Sequence, residues 1–179
     1  MSDRPLRFVT AASLFDGHDA AITIMRRILQ TQGAEVIHLG HDRSVTEVVR
    51  AAKHEDADGI AVSSYQGGHV EYFTYLRDSL RDSGADHIGI YGGGGGVILP
   101  EEIALLAARD VRIYSPEEGQ RLGLVGMIED MLATCRMRPR PAGTAIESLF
   151  TGDEVALGRT LTAIADGTLS AEDLQALAG

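Results

Sequence analysis

The sequence predicts an α/β fold: a flavodoxin-like (Rossmann-like) five-stranded parallel sheet in the order 2-1-3-4-5, with helices on both faces and a short C-terminal helical tail. Three observations predict it. Apolar strand-like runs alternate five times with segments of helical spacing over the first 135 residues, the pattern of parallel βαβ units. Right-handed crossovers leave few topologies for five such units, and the flavodoxin order is the simplest. The segments richest in turn residues follow the first, third and fourth strands, around the crevice where that order binds ligands.

Each element has a local reason. Residues 6–12 (LRFVTAA) read as a buried first strand. Residues 20–32 carry Ile22, Met25, Ile28 and Leu29 at helical spacing, and Gly33 follows where a left-handed residue would end the helix. Residues 35–39 form a short second strand. Ser44 and Glu47 make a capping box ahead of Val45, Val48, Val49 and Ala52 on one helix face. Residues 59–63 (GIAVS) are a buried third strand, 70–80 a helix around Val70, Phe73, Leu76 and Leu80, and 87–91 the fourth strand. Pro100 suits the first turn of a helix to about residue 109, residues 111–114 form the fifth strand, and Pro116 opens a helix to about residue 135.

The composition changes at Arg136, where RMRPRPAGTA (136–145) gathers arginine and proline. The expected organisation is therefore a domain over 1–135, a linker over 136–148 and a small helical tail over 149–179. Helices are expected over 149–165 and 170–177, the second capped by Ser170. Both are too short for a core of their own and should pack on the domain or on a neighbouring module.

Composition excludes several functional classes. A single cysteine, Cys135, permits no internal disulfide and is expected as a buried thiol. No apolar run approaches the 18 residues of a membrane span, and the N-terminus lacks a signal-peptide core, so a cytoplasmic protein with no membrane partner is expected. With 16 basic and 26 acidic residues the net charge is −10, and no basic stripe offers itself to nucleic acid.

Three loops carry the candidate chemistry. The first, 13–19 (SLFDGHD), sets His18 between Asp16 and Asp19. Asp16 can accept from one ring nitrogen and raise the basicity of the other; equally, Asp16 or Asp19 can cap the following helix with His18 merely exposed. The second, 63–69 (SSYQGGH), offers Ser63, Ser64, Tyr65 and Gln66, with Gly67 and Gly68 allowing close approach of a ligand or simply turning the chain. The third is a run of five glycines at 92–96, whose bare backbone N–H groups could meet an extended, flat or phosphorylated ligand. It is neither G-x-x-x-x-G-K-S/T nor G-x-G-x-x-G, which counts against nucleotide triphosphates and dinucleotides. His38 and His41 lack a third ligand for zinc. Ser63, His18 and Asp16 lack the G-x-S-x-G turn of a hydrolase. A receiver module would need a lysine after a late strand, which Tyr114-Ser115-Pro116 does not supply.

Together these loops resemble the cobalamin-binding domain of the adenosylcobalamin-dependent acyl-CoA mutases (the methylmalonyl-CoA mutase family). That family's pattern is D-x-H-x-x-G, then S-x-L, then G-G, on successive strand ends. Asp16-Gly17-His18 matches the first motif, although Ala21 replaces its glycine; Ser63-Ser64-Tyr65 fills the second with tyrosine for leucine; the glycine pair is expanded to 92–96. The resemblance covers about residues 6–132. The segments DGHDAA, SSYQGGHVEY and YGGGGGVILPEE are similar to members in which this domain precedes a GTPase chaperone module and an acyl-CoA-binding barrel module.

The resemblance implies that adenosylcobalamin (coenzyme B12) binds with its dimethylbenzimidazole tail displaced from cobalt, in a slot between the first and third strands. It implies His18 as the lower axial ligand of cobalt, with Asp16 holding its other nitrogen. Gly17, Asp19, Ser63, Tyr65, Gly67, Gly68, Gly92, Gly93, Gly94, Gly95 and Ser115 would complete the cofactor contacts, with no catalytic residue in this domain. The implied function is the cofactor domain of a radical carbon-skeleton mutase of the isobutyryl-CoA/n-butyryl-CoA type, an isomerase. The domain alone would bind cofactor without turnover, and its partners would be the barrel and the GTPase chaperone, in one longer chain or as separate subunits. The alternatives are a methylmalonyl-CoA mutase cobalamin subunit or a corrinoid methyl-transfer carrier. Such carriers usually place a helical cap before the corrinoid domain, for which a strand starting at Leu6 leaves no room.

Overall fold

The computed structural model describes residues 4–18, 20–141 and 146–178. Its chain order is β1 (Arg7–Ser13), α1 (Ala20–Thr31), β2 (Glu35–Arg43), α2 (Val45–His54), β3 (Gly59–Ser63), α3 (His69–Asp82), β4 (Gly89–Gly93), a 3-10 turn (Gly95–Val97), α4 (Pro100–Ala107), β5 (Val111–Ile113) and α5 (Pro116–Met137). Three tail helices follow: α6 (Ile146–Leu149), α7 (Glu154–Ala165) and α8 (Ala171–Ala178). The strands form one parallel sheet in the order β2-β1-β3-β4-β5, the flavodoxin order expected from the sequence.

Because strand side chains alternate between faces, the sheet buries two cores. Val9, Ala11, Ile60, Val62, Ile90 and Ile113 meet α2, α3 and α4 through residues such as Val48, Phe73, Leu76 and Leu106. Phe8, Ala61, Tyr91 and Tyr114 meet α1 and α5 through Ile22, Leu29, Ile128 and Met131. Large and small residues interlock within the sheet: Phe8 is fully buried, and a Cβ on Gly59 would lie 2.4 Å from its ring. Burying such a ring contributes about 2–3 kcal/mol.

Boundaries move where tertiary contacts override local pattern. β2 runs four residues past Leu39 to Arg43, because register shifts after Thr10 and Ala11 let it follow β1 further. Its end is tied down by the Tyr72 hydroxyl, which donates to the Arg43 carbonyl at 3.0 Å. β4 lies two residues later than expected, since Gly92 and Gly93 still pair with Val62 and Ser63 of β3. The helix expected over 149–165 starts only at Glu154, as α7, and Leu149 instead ends the preceding α6. Gly152 turns left-handed (φ +84°) and the Asp153 carboxylate caps α7 through Val155 N–H and Ala156 N–H. The Ser44–Glu47 capping box forms as read.

The tail packs on α2. Val155 joins the core, Lys53 pairs with Glu154 at 2.9 Å, and Gly158 sits so close that a Cβ would lie 2.3 Å from the Lys53 carbonyl oxygen. Arg140 pairs with Asp56 and Asp58 beneath the sheet.

One cation organises the base of the sheet. Arg77 is fully buried. It donates to the carbonyls of Asp86, Ile88 and Asp110 at 3.2, 3.2 and 2.7 Å and pairs with the Asp110 carboxylate at 3.1 Å. It thus satisfies backbone acceptors just before β4 and β5. Arg77→Met should lower the unfolding free energy by about 3 kcal/mol, since several buried acceptors lose their donor; urea denaturation measures this.

His87, just before β4, has neither ring nitrogen hydrogen-bonded among the described residues. Burial first, then Arg140 and Arg159, push its pKa down to about 4. The unfolded chain, with an ordinary histidine near pH 6.5, takes up this proton before the folded one does. Stability should therefore fall as pH drops from about 6.5 to about 4. His87→Leu should flatten that slope by up to one proton in pH-dependent denaturation.

Candidate functional site

The loop after β1 is built around a buried carboxylate. Asp16 N–H donates to the Ser13 carbonyl at 3.0 Å, closing a turn, and the Asp16 side chain is fully buried. Its Oδ1 accepts from His18 N–H at 2.9 Å and from His18 Nδ1–H at 2.8 Å. Its Oδ2 accepts from Tyr65 N–H at 2.6 Å. One carboxylate therefore joins the β1–α1 loop to the β3–α3 loop. Among the described residues, none of the three accepted N–H groups belongs to α1, and Asp16 serves there as the partner of the histidine. Burial pushes the Asp16 carboxyl up, but the Tyr65 and His18 donors outweigh it and hold it below the ordinary carboxylate value.

With Nδ1–H directed at Asp16, the neutral imidazole carries its lone pair on Nε2. The His18 side chain is 67% exposed, and Nε2 has no hydrogen-bond partner among the described residues. The Tyr65 ring lies 5.7 Å away, centroid to centroid.

Beside this pair is a cavity of about 320 Å³. Ala21, Ile24 and Met25 of α1 form one wall, and Pro116, Gly119, Leu124, Met127 and Met131 of α5 form the other. Its floor is Ala61 and Ser63 of β3 with Tyr91 and Gly93 of β4, and Tyr65, Tyr114 and Ser115 border it. The walls are apolar, yet Ser63 Oγ is buried without a hydrogen-bond partner among the described residues, an arrangement whose cost a ligand could remove. Among the described residues no β1 residue lines the cavity, which lies above β3 and β4, where Ala61, Ser63 and Gly93 are small.

The glycine run does two jobs. A Cβ on Gly92 would lie 2.5 Å from Phe73 and 2.7 Å from Ile113, and one on Gly94 would lie 1.9 Å from the Ser64 carbonyl oxygen. Those two glycines permit close packing. A Cβ on Gly93 would meet only the Tyr114 carbonyl oxygen, at 3.7 Å, so Gly93 keeps the cavity floor open. Gly95 is left-handed (φ +58°), and a Cβ on Gly96 would meet no non-neighbouring atom of the described residues within 4 Å.

Of the residues singled out in the sequence, Ser63, Tyr65, Gly92, Gly93, Gly94, Gly95 and Ser115 line the cavity, with Asp16 and His18 adjoining through Tyr65. Ser115 also caps α5, accepting from Glu118 N–H at 3.2 Å. Gly17, Gly67 and Gly68 do not line the cavity; Gly68 instead opens α3 in a left-handed conformation. Asp19 lies outside the described residues. His38 Nδ1 is 2.9 Å from Thr10 Oγ1, and no group of three or more His, Cys, Asp or Glu side chains among the described residues could hold a metal ion.

Two features escaped the sequence reading. Asp42 bonds the His18 loop from β2. His69 Nε2 meets Glu102 at 2.8 Å and, with Leu99 N–H on the same carboxylate, ties the loop after β3 to the loop after β4. The i, i+3 spacing of Leu99 and Glu102 was the only local signal for the second; nothing local marked the first.

The family described as "B12 binding domain" matches residues 6–122. The chain belongs to the B12-binding domain family. This B12-binding domain is 61% identical to the fused isobutyryl-CoA mutase of Nocardia farcinica over 173 residues, 97% of this chain and 16% of that one. It is 35% identical to the pivalyl-CoA mutase small subunit of Xanthobacter autotrophicus over 115 residues, 63% of this chain and 75% of that subunit. The chain thus spans only 16% of the fused relative's length. Among solved structures, a cobalamin-binding protein from Desulfitobacterium hafniense shares the fold with a TM-score of 0.60 at 19% identity, covering 72% of this chain and 58% of that one. No helix among the described residues is long and apolar enough to cross a membrane.

The two roles of the glycine run predict different tolerances within this B12-binding domain. Gly94→Ala should cost about 2 kcal/mol or more, because the new methyl meets fixed backbone. Gly96→Ala should change stability by less than about 0.5 kcal/mol. Urea unfolding of both variants checks the contrast.

Proposed function

We propose that this B12-binding domain binds adenosylcobalamin with its dimethylbenzimidazole tail off cobalt and with His18 Nε2 as the lower axial ligand. The observation that carries the reading is the Asp16–His18 pair, which leaves one exposed imidazole nitrogen free beside a mostly apolar cavity. The residues fit the group. Asp16 holds the Nδ1 proton and sets the tautomer that leaves the Nε2 lone pair free. The unpartnered Ser63 hydroxyl would hydrogen-bond the buried nucleotide tail, Tyr65 and Ser115 would border it, and Gly93 and Gly95 would let it approach the backbone. Gly92 and Gly94 would hold the floor in shape. Gly17, Gly67 and Gly68 would line the approach from solvent.

When bound, adenosylcobalamin supplies radical chemistry. The chain's own part is to hold the cofactor and keep water from its tail through the walls from Ile24, Met25, Leu124 and Met127. No residue of this domain acts on substrate. The domain, read as 1–135 with a linker at 136–148 and a tail at 149–179, would serve a cytoplasmic carbon-skeleton mutase of the isobutyryl-CoA/n-butyryl-CoA type, an isomerase. Its partners would be an acyl-CoA-binding barrel and a GTPase chaperone module, in the same longer chain or as separate subunits. The 61% identity to the fused mutase across nearly the whole chain supports this reading over a corrinoid methyl carrier.

Titration with adenosylcobalamin, followed by visible absorbance, should show binding that His18→Ala weakens by more than about tenfold, taking the loss of a ligand to exceed the loss of a ligand's partner. In the cob(II)alamin state the wild-type domain should show nitrogen splitting by EPR that changes when the protein is labelled with nitrogen-15. The cofactor's own base would not respond to that label. No binding, or splitting retained in His18→Ala, would refute the assignment.

A further inference from the structure

The turn that presents His18 contains a strained residue with little to hold it. Phe15 has φ +65°, a left-handed conformation costly for an aromatic residue, and its side chain is 79% exposed. Packing of the ring therefore cannot pin the backbone. The restraint comes from the second strand. Phe15 N–H donates to Asp42 Oδ1 at 2.8 Å, and Asp42 N–H donates to the Asp16 carbonyl at 3.2 Å. Asp42 is itself left-handed, with φ +56°, a conformation aspartate tolerates better than most residues.

Asp42 reaches this turn because β2 does not stop where its hydrophobic pattern fades. The register passes from Thr10↔His38 to Ala11↔Gly40 and then to Ser13↔Arg43, so β2 gains residues on β1 as it climbs. Gly40, at φ +86°, allows that irregular path. The Asp16 backbone is then gripped at both ends, by Ser13 through its N–H and by Asp42 through its carbonyl. Its carboxylate carries the imidazole of His18.

We infer that Asp42 is a positioning residue for the His18 loop, holding Phe15 and Asp16 in the conformation that orients the ligating imidazole. The inference rests on the reading of His18 as the cobalt ligand. Among the described residues Asp42 makes its hydrogen bonds here to Phe15 and Asp16 and does not line the cavity, so it acts through the loop. It is exposed, so replacing it should leave the fold intact.

Three variants test this. Asp42→Gly removes the acceptor while keeping the left-handed backbone accessible. Asp42→Asn keeps an acceptor oxygen at Oδ1. His18→Ala reports on the ligand itself. In the cobalamin-free domain, amide exchange at Phe15 should accelerate in Asp42→Gly and stay slow in Asp42→Asn. With adenosylcobalamin, Asp42→Gly should bind about tenfold more weakly, at the low end of what loss of a ligand's supporting partner costs. Its cob(II)alamin form should lose part of the protein-nitrogen splitting. Asp42→Asn should bind within about threefold of wild type. Unchanged binding and splitting in Asp42→Gly, or an Asn variant as weak as the Gly variant, would overturn the inference while leaving His18 as ligand. Splitting retained in His18→Ala would overturn the ligand assignment and the positioning role together.

Discussion

The site depends on one buried carboxylate. Asp16 is enclosed, yet it is held ionised by N–H donors from its own loop and from the loop after β3. A carboxylate in such surroundings is tolerable only while those donors stay in place. The same bonds that stabilise the charge therefore fix the separation of the two loops and the tautomer of His18. Orientation of the imidazole and integrity of the turn are one energetic problem, solved by one group.

Around that anchor, the floor of the cavity is shaped by what the side chains lack. Phe73 and Ile113 fill the face beneath β4 so closely that position 92 accepts no methyl, and the Ser64 carbonyl does the same at position 94. The intervening Gly93 faces the other side of the sheet, where nothing fills the space. Alternation along a strand thus turns one run of glycines into a packed underside and an open upper surface. The apolar walls from α1 and α5 then make Ser63 the one buried side-chain polar atom of the lining left without a partner among the described residues.

Much of this was legible in the linear pattern. The strands at Phe8, Ile60 and Ile90 and the capping box at Ser44 are local signals, dictated by burial periodicity and by backbone donors that need acceptors. The clustering of Asp16, His18, Ser63, Tyr65 and the glycines followed from topology alone, because the parallel order brings those strand ends to one edge. The continuation of β2 to Arg43 was not legible. It is set by pairing with β1 and by the Tyr72 hydroxyl from a distant helix. Nor was the break at Gly152, where the apolar pattern runs on but a left-handed residue and the Asp153 cap divide the helix.

By itself, then, the sequence determined the order of the sheet, the loops that meet at its edge and the identity of the histidine and its carboxylate. These depend on periodicity, on handed crossovers and on residue types that carry chemistry. Only the tertiary structure decided that Asp16 bridges two loops, that the cavity lies over β3 and β4 and not beside β1, and that Asp42 grips the turn. Each of those is a contact between segments far apart in the chain. Its geometry is set by which neighbours are small enough to leave space and which donors happen to lie within hydrogen-bonding reach.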